Sequence, residues 1–529
     1  MNLGLTPTRS KHSFERLNSP SHARNYLPRY RVLAGLLGLT AGAVAIHGYH
    51  VGVEDQAIYL PAILKHLDPS LFQHDTVFFE AQTRPTLIDE TVAGVVRVTH
   101  LPLDWVLLLF HLVATFLLLL GAWRVARRCF PESHAVWAGL CLLTGLFLIP
   151  IAGTSQYILD QYMHPRALST GLILLPVADL LPGEKRWRGL RLALWCAICF
   201  LVAFIFQLQM AVYGLGLLIF LAMPWERWIG AMGPVLAAIV PLPIIHQLFE
   251  RGSPAWQEAA RTRSQHYLVR WEWYEWLGII APMLIFWWWA KIVDRRGEPV
   301  LAWFNRRLAL YSALVLILGG ALILPPAFER LTPFQPMRMF TFVYLYLLVL
   351  GGGLLGQFVL RKALWRWLVL FLPLAAGMYM AERSLFPSSP HIEWPGTIPN
   401  SPWVQAFLWV RENTPKDAYF ALNPRYFGLE GEDNRGFRAW AHRSQLADWS
   451  KDGGVASLAP DLAPRWQREV HALDHWTQFQ EGDFARLRRD YGAEWAVLER
   501  RLPDGKLRQL PEILDCPYQN RDLYVCRIR

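Results

Sequence analysis

The chain has 529 residues, 53% of them hydrophobic and only 18% charged, with a formal net charge of +10. The apolar residues come in long blocks, which excludes an ordinary soluble globular domain over most of the length. The basic excess does not point to nucleic acid, because it sits in short loops beside those blocks, where membrane topology puts Lys and Arg.

Residues 1–31 form a basic tail with Arg9, Lys11, Arg16, Arg24, Arg29 and Arg31. They lack a cleavable secretory signal, so the first apolar block is expected to stay as an anchor. Runs of about 18–20 apolar residues can cross the hydrocarbon core of a bilayer. Eleven spans are predicted on that basis, near 32–49, 103–123, 134–152, 166–182, 191–206, 209–223, 228–248, 274–292, 308–325, 339–360 and 365–381. Basic clusters follow the even-numbered spans: Arg124, Arg127 and Arg128; Lys185, Arg186, Arg188 and Arg191; Arg227; Lys291, Arg295 and Arg296; Arg361, Lys362 and Arg366. Those loops should be cytoplasmic, with the N-terminus inside and everything after Met380 outside. The stretch from Arg191 to Pro224 is long for one helix, and Gln207, Gln209 and Tyr213 at its centre predict a tight outer turn.

The first outer loop, about 50 to 102, is long and rich in ionisable residues, beginning with Glu54 and Asp55. Its segment AIYLPAILKHLDPSLF predicts an amphipathic helix lying on the membrane surface. The second outer loop reads GTSQYILDQYMHPR, the fourth spans about 249–273, and the fifth reads PAFERLTPFQPMR. From residue 386 onward the composition is that of a soluble domain. WVQAFLWVRENTP predicts a helix, DAYFALNP a strand, FARLRRDYG a helix, AEWAVLER a strand and LYVCRI a last strand. The result is a small α/β domain. The expected organisation is a cytoplasmic tail over 1–31, a membrane domain over 32–385 and a periplasmic α/β domain over 386–529.

Cys196 and Cys199 share a CxxC spacing inside an apolar run and read as packing residues. Cys516 and Cys526 flank PYQNRDLYV, where two strands could bring them together; a disulfide there fits an oxidising compartment.

Glu54 and Asp55 stand a few residues beyond the first span. That is the height at which a carboxylate can take the proton of a hydroxyl attacking a lipid-phosphate-linked sugar. A wet loop start would also carry acidic residues. Asp160 and His164 are four apart, with Arg166 close by, and with Asp55 could bind a sugar or hold a divalent metal (Mg or Mn). Metal sites usually need three ligands, and the spacing does not supply a third; His164-Pro165 equally reads as the start of a span. Basic residues on the outer side run against the topological bias, and Arg261, Arg263, His266, Arg330 and Arg338 are of that kind. Arg pairs with phosphate in bidentate fashion, and Arg338, at the mouth of a span, is best placed to hold the donor's phosphate. The bland alternative is an Arg snorkelling to lipid headgroups. In the tail, Arg438, His442, Arg443, Asp448, Trp449 and Lys451 suit carbohydrate binding or an ordinary docking surface, with docking favoured.

In layout the chain resembles the GT-C superfamily of integral membrane glycosyltransferases. The points of likeness are an acidic residue early in a long first outer loop, about eleven spans and an outer C-terminal domain. The tail segments Trp409 to Ala418 and Gly436 to Ser444 also look like those of a bacterial group of GT-C-like proteins. The resemblance implies an inverting transfer of a sugar from a polyprenyl-phosphate donor. Asp55, or Glu54, would be the base and Asp160 an assisting or metal-binding residue. The acceptor would be an envelope glycan, lipid or protein at the periplasmic face of a bacterial inner membrane. Two other readings stay open. One is a transporter or flippase of a lipid-linked substrate, against which the uncharged spans and absent repeat argue. The other is a non-catalytic membrane scaffold.

Overall fold

The computed structural model describes residues 28–183, 189–223, 252–429 and 433–529. The predicted span near 228–248, most of the N-terminal tail, Arg227 and the Lys185–Arg188 cluster lie outside the described residues.

The chain is mostly helical. Seven helices among the described residues are long and apolar enough to cross a membrane: Arg29–His47, Leu103–Cys129, Gly189–Phe206, Trp273–Arg295, Pro299–Ile323, Phe328–Leu360 and Leu364–Leu385. We label five for use below: α1 (Arg29–His47), α2 (Gln56–Leu67), α3 (Ile88–Thr99), α4 (Leu103–Cys129) and α5 (Ser133–Gly145). One predicted span, near 134–152, is clearly shorter than expected, while those near 166–182 and 209–223 form helices of about the expected length. Helix α5 has 13 residues, Pro165–Leu180 has 16 and Leu208–Ala222 has 15. At 1.5 Å per residue, α5 covers only about 20 Å. The apolar residues after Gly145 belong instead to a buried turn that feeds the second outer loop; there Ile151 N–H bonds the Gln156 carbonyl at 2.9 Å.

The predicted turn in the 191–223 stretch falls at Gln207. Its backbone is extended, and its side chain accepts from Met210 N–H to cap the next helix. This break lies beside the first and fifth predicted outer loops, because Leu87 N–H bonds the Ile205 carbonyl at 2.8 Å and Gln209 Nε2 bonds the Phe334 carbonyl at 2.8 Å.

Helices in lipid gain little from apolar burial against each other, so close approach of small residues matters more. Helix Phe340–Leu355 is buried along almost its whole length, with Gly351, Gly352 and Gly353 in its last turns. A Cβ on Gly352 would stand 2.7 Å from the Ala138 carbonyl, and one on Gly139 would stand 2.4 Å from that of Val349. The glycines therefore let this helix and α5 touch backbone to backbone. The outermost long helix, Leu364–Leu385, instead exposes Leu364, Trp365, Leu368, Val369 and Leu372, a face suited to lipid.

Beyond Leu385 the tail builds a five-stranded mixed sheet in the order β2-β1-β3-β5-β4. The strands are β1 Tyr419–Leu422, β2 Ser444–Gln445, β3 Trp495–Glu499, β4 Leu514–Gln519 and β5 Leu523–Ile528. β1 runs parallel to β2 and β3, while β5 is antiparallel to β3 and β4. Cys516 of β4 and Cys526 of β5 form a disulfide.

The surface-lying helix expected in the first outer loop is corrected. Helix α2 buries every residue from Gln56 to Ile63. It packs on α3 and on the tail, where Gly436 leaves room for Ala57. Its apolar turns are covered by α3 and the tail domain rather than by lipid, and only its last turn, with Lys65 and His66, stays partly exposed.

Candidate active site

Helix α1 ends at Gly48, whose φ of +83° turns the chain out of the bundle. Tyr49 to Val53 then run extended between two pieces of the tail. Tyr49 pairs with Ile392 on one side and Val53 with Arg435 on the other. Gly52 has φ +72°, and a Cβ there would lie 2.2 Å from Trp440 Nε1, so only glycine fits. Arg435 clamps the segment. It donates to the Val51 carbonyl at 2.5 Å and to both oxygens of Glu393, at 2.5 and 3.0 Å. Glu393 in turn accepts from Val51 N–H at 3.1 Å and bonds His50 at 2.7 Å. The tail therefore fixes the segment that carries the acidic pair.

Glu54 adopts φ +48°, a conformation an L-residue enters only when held there. Asn434 holds it from both ends: Glu54 N–H bonds the Asn434 carbonyl at 3.2 Å, and Asn434 Nδ2 donates to Glu54 Oε1 at 3.1 Å. Asp55 precedes α2 without spending its side chain on a cap. Its carboxylate is held from two sides instead. Lys451 Nζ donates to Asp55 Oδ1 at 2.9 Å and also to Glu54 Oε2 at 2.8 Å. His164 Nε2 lies 3.3 Å from Asp55 Oδ2. His164 Nδ1 accepts from Arg166 N–H at 3.0 Å, which leaves the ring proton on Nε2, pointing at Asp55.

Burial alone would push the Asp55 carboxyl up. The Lys451 ammonium, the His164 hydrogen bond and the charge on Arg166 outweigh it and hold the group well below the ordinary 3.8. The 32% of the side chain that remains accessible faces a cavity rather than open solvent. His164 is buried and next to Arg166, and both effects lower its pKa, which keeps it neutral.

That cavity has a volume of about 540 Å³. Glu54, Asp55, Asp160, Arg166, Arg263, His266 and Arg338 line it, together with Lys451 and Glu382. Four predicted outer segments and the tail thus converge on one space. Arg166 donates to both Asp160 oxygens at 2.7 Å, so Asp160 serves to hold Arg166. With its amide oriented by its neighbours, Gln156 accepts from Arg166 Nη1 at 2.7 Å and from Arg338 Nε at 3.0 Å. Among the described residues, neither Arg263 nor Arg338 makes an ion pair with a carboxylate. Two guanidiniums are therefore left to face an anion in the cavity.

Three predicted residues sit elsewhere. Arg261 is exposed at the end of helix Pro254–Arg261, Arg330 lies in the turn Pro326–Phe334, and neither lines the cavity. His164 stands behind Asp55 as its hydrogen-bond partner rather than in the lining. The metal reading placed on Asp55, Asp160 and His164 has no cluster behind it. Among the described residues, only His66, Asp89 and Glu90 bring three such ligand atoms within 4.8 Å of one another.

Sequence reasoning missed Lys451 as a cavity residue, and with it Gln156, Glu382 and Asn434. Lys451 was visible only as one charge in a polar tail segment. Glu382 is a carboxylate buried near the end of an apolar helix, and such a group in a span is a signal of function on its own.

Comparison with known families fits this geometry. Residues 84–248 match a family model described as dolichyl-phosphate-mannose-protein mannosyltransferase. Residues 401–468 match a domain of unknown function, DUF6798. No curated protein matches the chain. The first match contains Asp160, His164 and Arg166, the second contains Asn434 and Lys451, and Glu54 and Asp55 lie outside both. The match over 84–248 is to a GT-C family model, and with the long apolar helices it supports a multi-pass membrane glycosyltransferase of the GT-C kind.

Proposed function

We propose that the protein transfers a sugar from a polyprenyl-phosphate donor to a hydroxyl of an envelope glycan, lipid or protein. The reaction would take place at the periplasmic face of a bacterial inner membrane. The observation that carries this reading is the pairing, in one cavity, of an ionised Asp55 with two unneutralised arginines, Arg263 and Arg338. An acceptor hydroxyl attacks the anomeric carbon of the sugar, and Asp55 takes its proton. The bond from that carbon to the phosphate oxygen breaks, and its electron pair leaves with the polyprenyl phosphate. Charge grows on the phosphate as the bond breaks, and the two guanidiniums stabilise it in a site of low dielectric. Attack opposite the leaving phosphate inverts the anomeric centre. The Cys516–Cys526 disulfide supports a tail in an oxidising compartment.

The test is turnover of a short-chain polyprenyl-phosphate mannose by the purified full-length protein, together with a mass-spectrometric profile of envelope glycans in a deletion strain. Wild type should release polyprenyl phosphate, and Asp55→Asn should not, at equal membrane levels. If Asp55→Asn complements the deletion like wild type, the transferase reading fails and transport becomes the better account.

A further inference from the structure

A base and a leaving-group clamp do not explain why a lysine of the tail reaches into the cavity. Lys451 is the first residue of helix Lys451–Leu458 and is 5% exposed. Its backbone N–H bonds Asp448 Oδ1 at 2.5 Å. The next residue, Asp452, takes both Nη atoms of Arg438 at 2.8 Å, and Arg438 Nε also bonds Asp75 of the first outer loop at 2.5 Å. Both the tail and the loop therefore fix where Lys451 starts, and its side chain ends between two carboxylates.

We infer that Lys451 is a positioning residue of the active site: it fixes the Asp55 carboxylate between its own ammonium and the His164 imidazole, with Glu54 as its permanent counter-ion. The inference rests on the transferase reading above. Each Asp55 oxygen has one donor, which sets the plane of the carboxylate and leaves a lone pair for the acceptor's proton. The second acid then has a reason. When Asp55 takes the proton it loses its charge, and a buried ammonium without another partner would be stranded. Glu54 Oε2 stays 2.8 Å from Nζ, so Lys451 remains paired through the step without moving. The groups facing Asp55 are Glu54 on its own segment, Tyr59 of α2, Tyr162, His164 and Arg166 from the second outer loop, Arg338 from the start of its helix, and Lys451 from the tail. Of these, Lys451 exerts the largest charge effect on Asp55.

The experiment uses the full-length protein in nanodiscs with polyprenyl-phosphate mannose as donor. Lys451→Met should lower kcat by about 100-fold, the scale of a misplaced reacting group, with donor KM nearly unchanged. The acid limb of its pH–rate profile should move up, since Asp55 loses its nearest cation. Lys451→Arg should recover most of kcat and return the limb toward wild type. A zero-length carbodiimide should cross-link Lys451 to Glu54 or Asp55 in the wild type. Three results overturn the inference: a Lys451→Met enzyme with wild-type kcat, a loss of kcat with an unmoved acid limb, or no such cross-link. A wild type without turnover overturns the transferase reading and this inference with it, whereas an active wild type with an indifferent Lys451→Met overturns this inference alone.

Discussion

Gly454 carries no side chain at the point where the Arg263 guanidinium crosses its helix, and a Cβ there would lie 2.3 Å from Arg263 Nη2. The tail thus leaves a notch for an arginine of the predicted fourth outer loop, one of the two that face the cavity without an acidic partner among the described residues. The far end of an arginine is flexible, so it would move aside rather than strain the fold. Gly454→Ala should leave the melting temperature nearly unchanged and weaken donor binding about tenfold, or about 1.4 kcal/mol. Arg263→Ala should do the same, and the double variant should be no worse than either single one. Donor KM values across the four proteins check this.

Arg338 should matter to the chemical step more than to the fold. Arg338→Ala removes a donor from the developing phosphate charge, and a loss of about 100-fold or more in kcat/KM is expected. Arg338→Lys should recover only part, because an ammonium cannot reproduce the fork of a guanidinium. Turnover of polyprenyl-phosphate mannose by the two variants is the measurement.

Asp160 and Arg166 are both buried, at 5% exposure, and each neutralises the other. Asp160→Asn leaves an uncompensated guanidinium and should cost about 3–5 kcal/mol, read as a fall in melting temperature in detergent. Replacing both residues with apolar ones of similar volume should restore much of that stability. If Asp160 acts instead as a free ligand, Asp160→Asn would melt like wild type.

The pH dependence follows from the sign of one shift. Asp55 is held below its ordinary value when folded, so its ionised form adds stability above the ordinary carboxylate range. That contribution is lost as pH falls through the depressed value. The base should accordingly stay competent in mildly acidic buffer, with the acid limb of kcat/KM falling below 3.8. Removing the His164 hydrogen bond with His164→Ala should raise the limb.

The Cys516–Cys526 bridge closes a short loop between neighbouring strands, with a sequence separation of 10. Cys516→Ser should cost about 2–3 kcal/mol by loop-closure entropy. The stability of the tail to proteolysis, with and without reductant, measures it.

The seven long apolar helices among the described residues were legible because long apolar runs are a one-dimensional signal. The helix break at Gln207 showed for the same reason, since polar residues in a run too long for one helix mark a turn. The acidic pair was singled out by its place just beyond the first span, and the structure puts both residues in the cavity lining. Helix α5 was overestimated because buried turn residues such as Phe147 and Ile151 are as apolar as lipid-facing ones. Helix α2 was misplaced for a related reason: an apolar face does not say whether lipid or protein will cover it. Lys451 escaped because the tail that delivers it pairs with residues 396 positions away, and no local periodicity records such a contact.

That separation also orders events during synthesis. Glu54 and Asp55 emerge early, but Asn434, Arg435 and Lys451 are made some 380 to 396 residues later. At roughly 5–20 residues per second, the ribosome needs on the order of 20–80 s to cover that distance. Until then the acidic pair lacks its clamp and its counter-ion. On the proposed function, a nascent chain already threaded into the membrane should stay inactive until its tail has been translated and docked on the acidic pair.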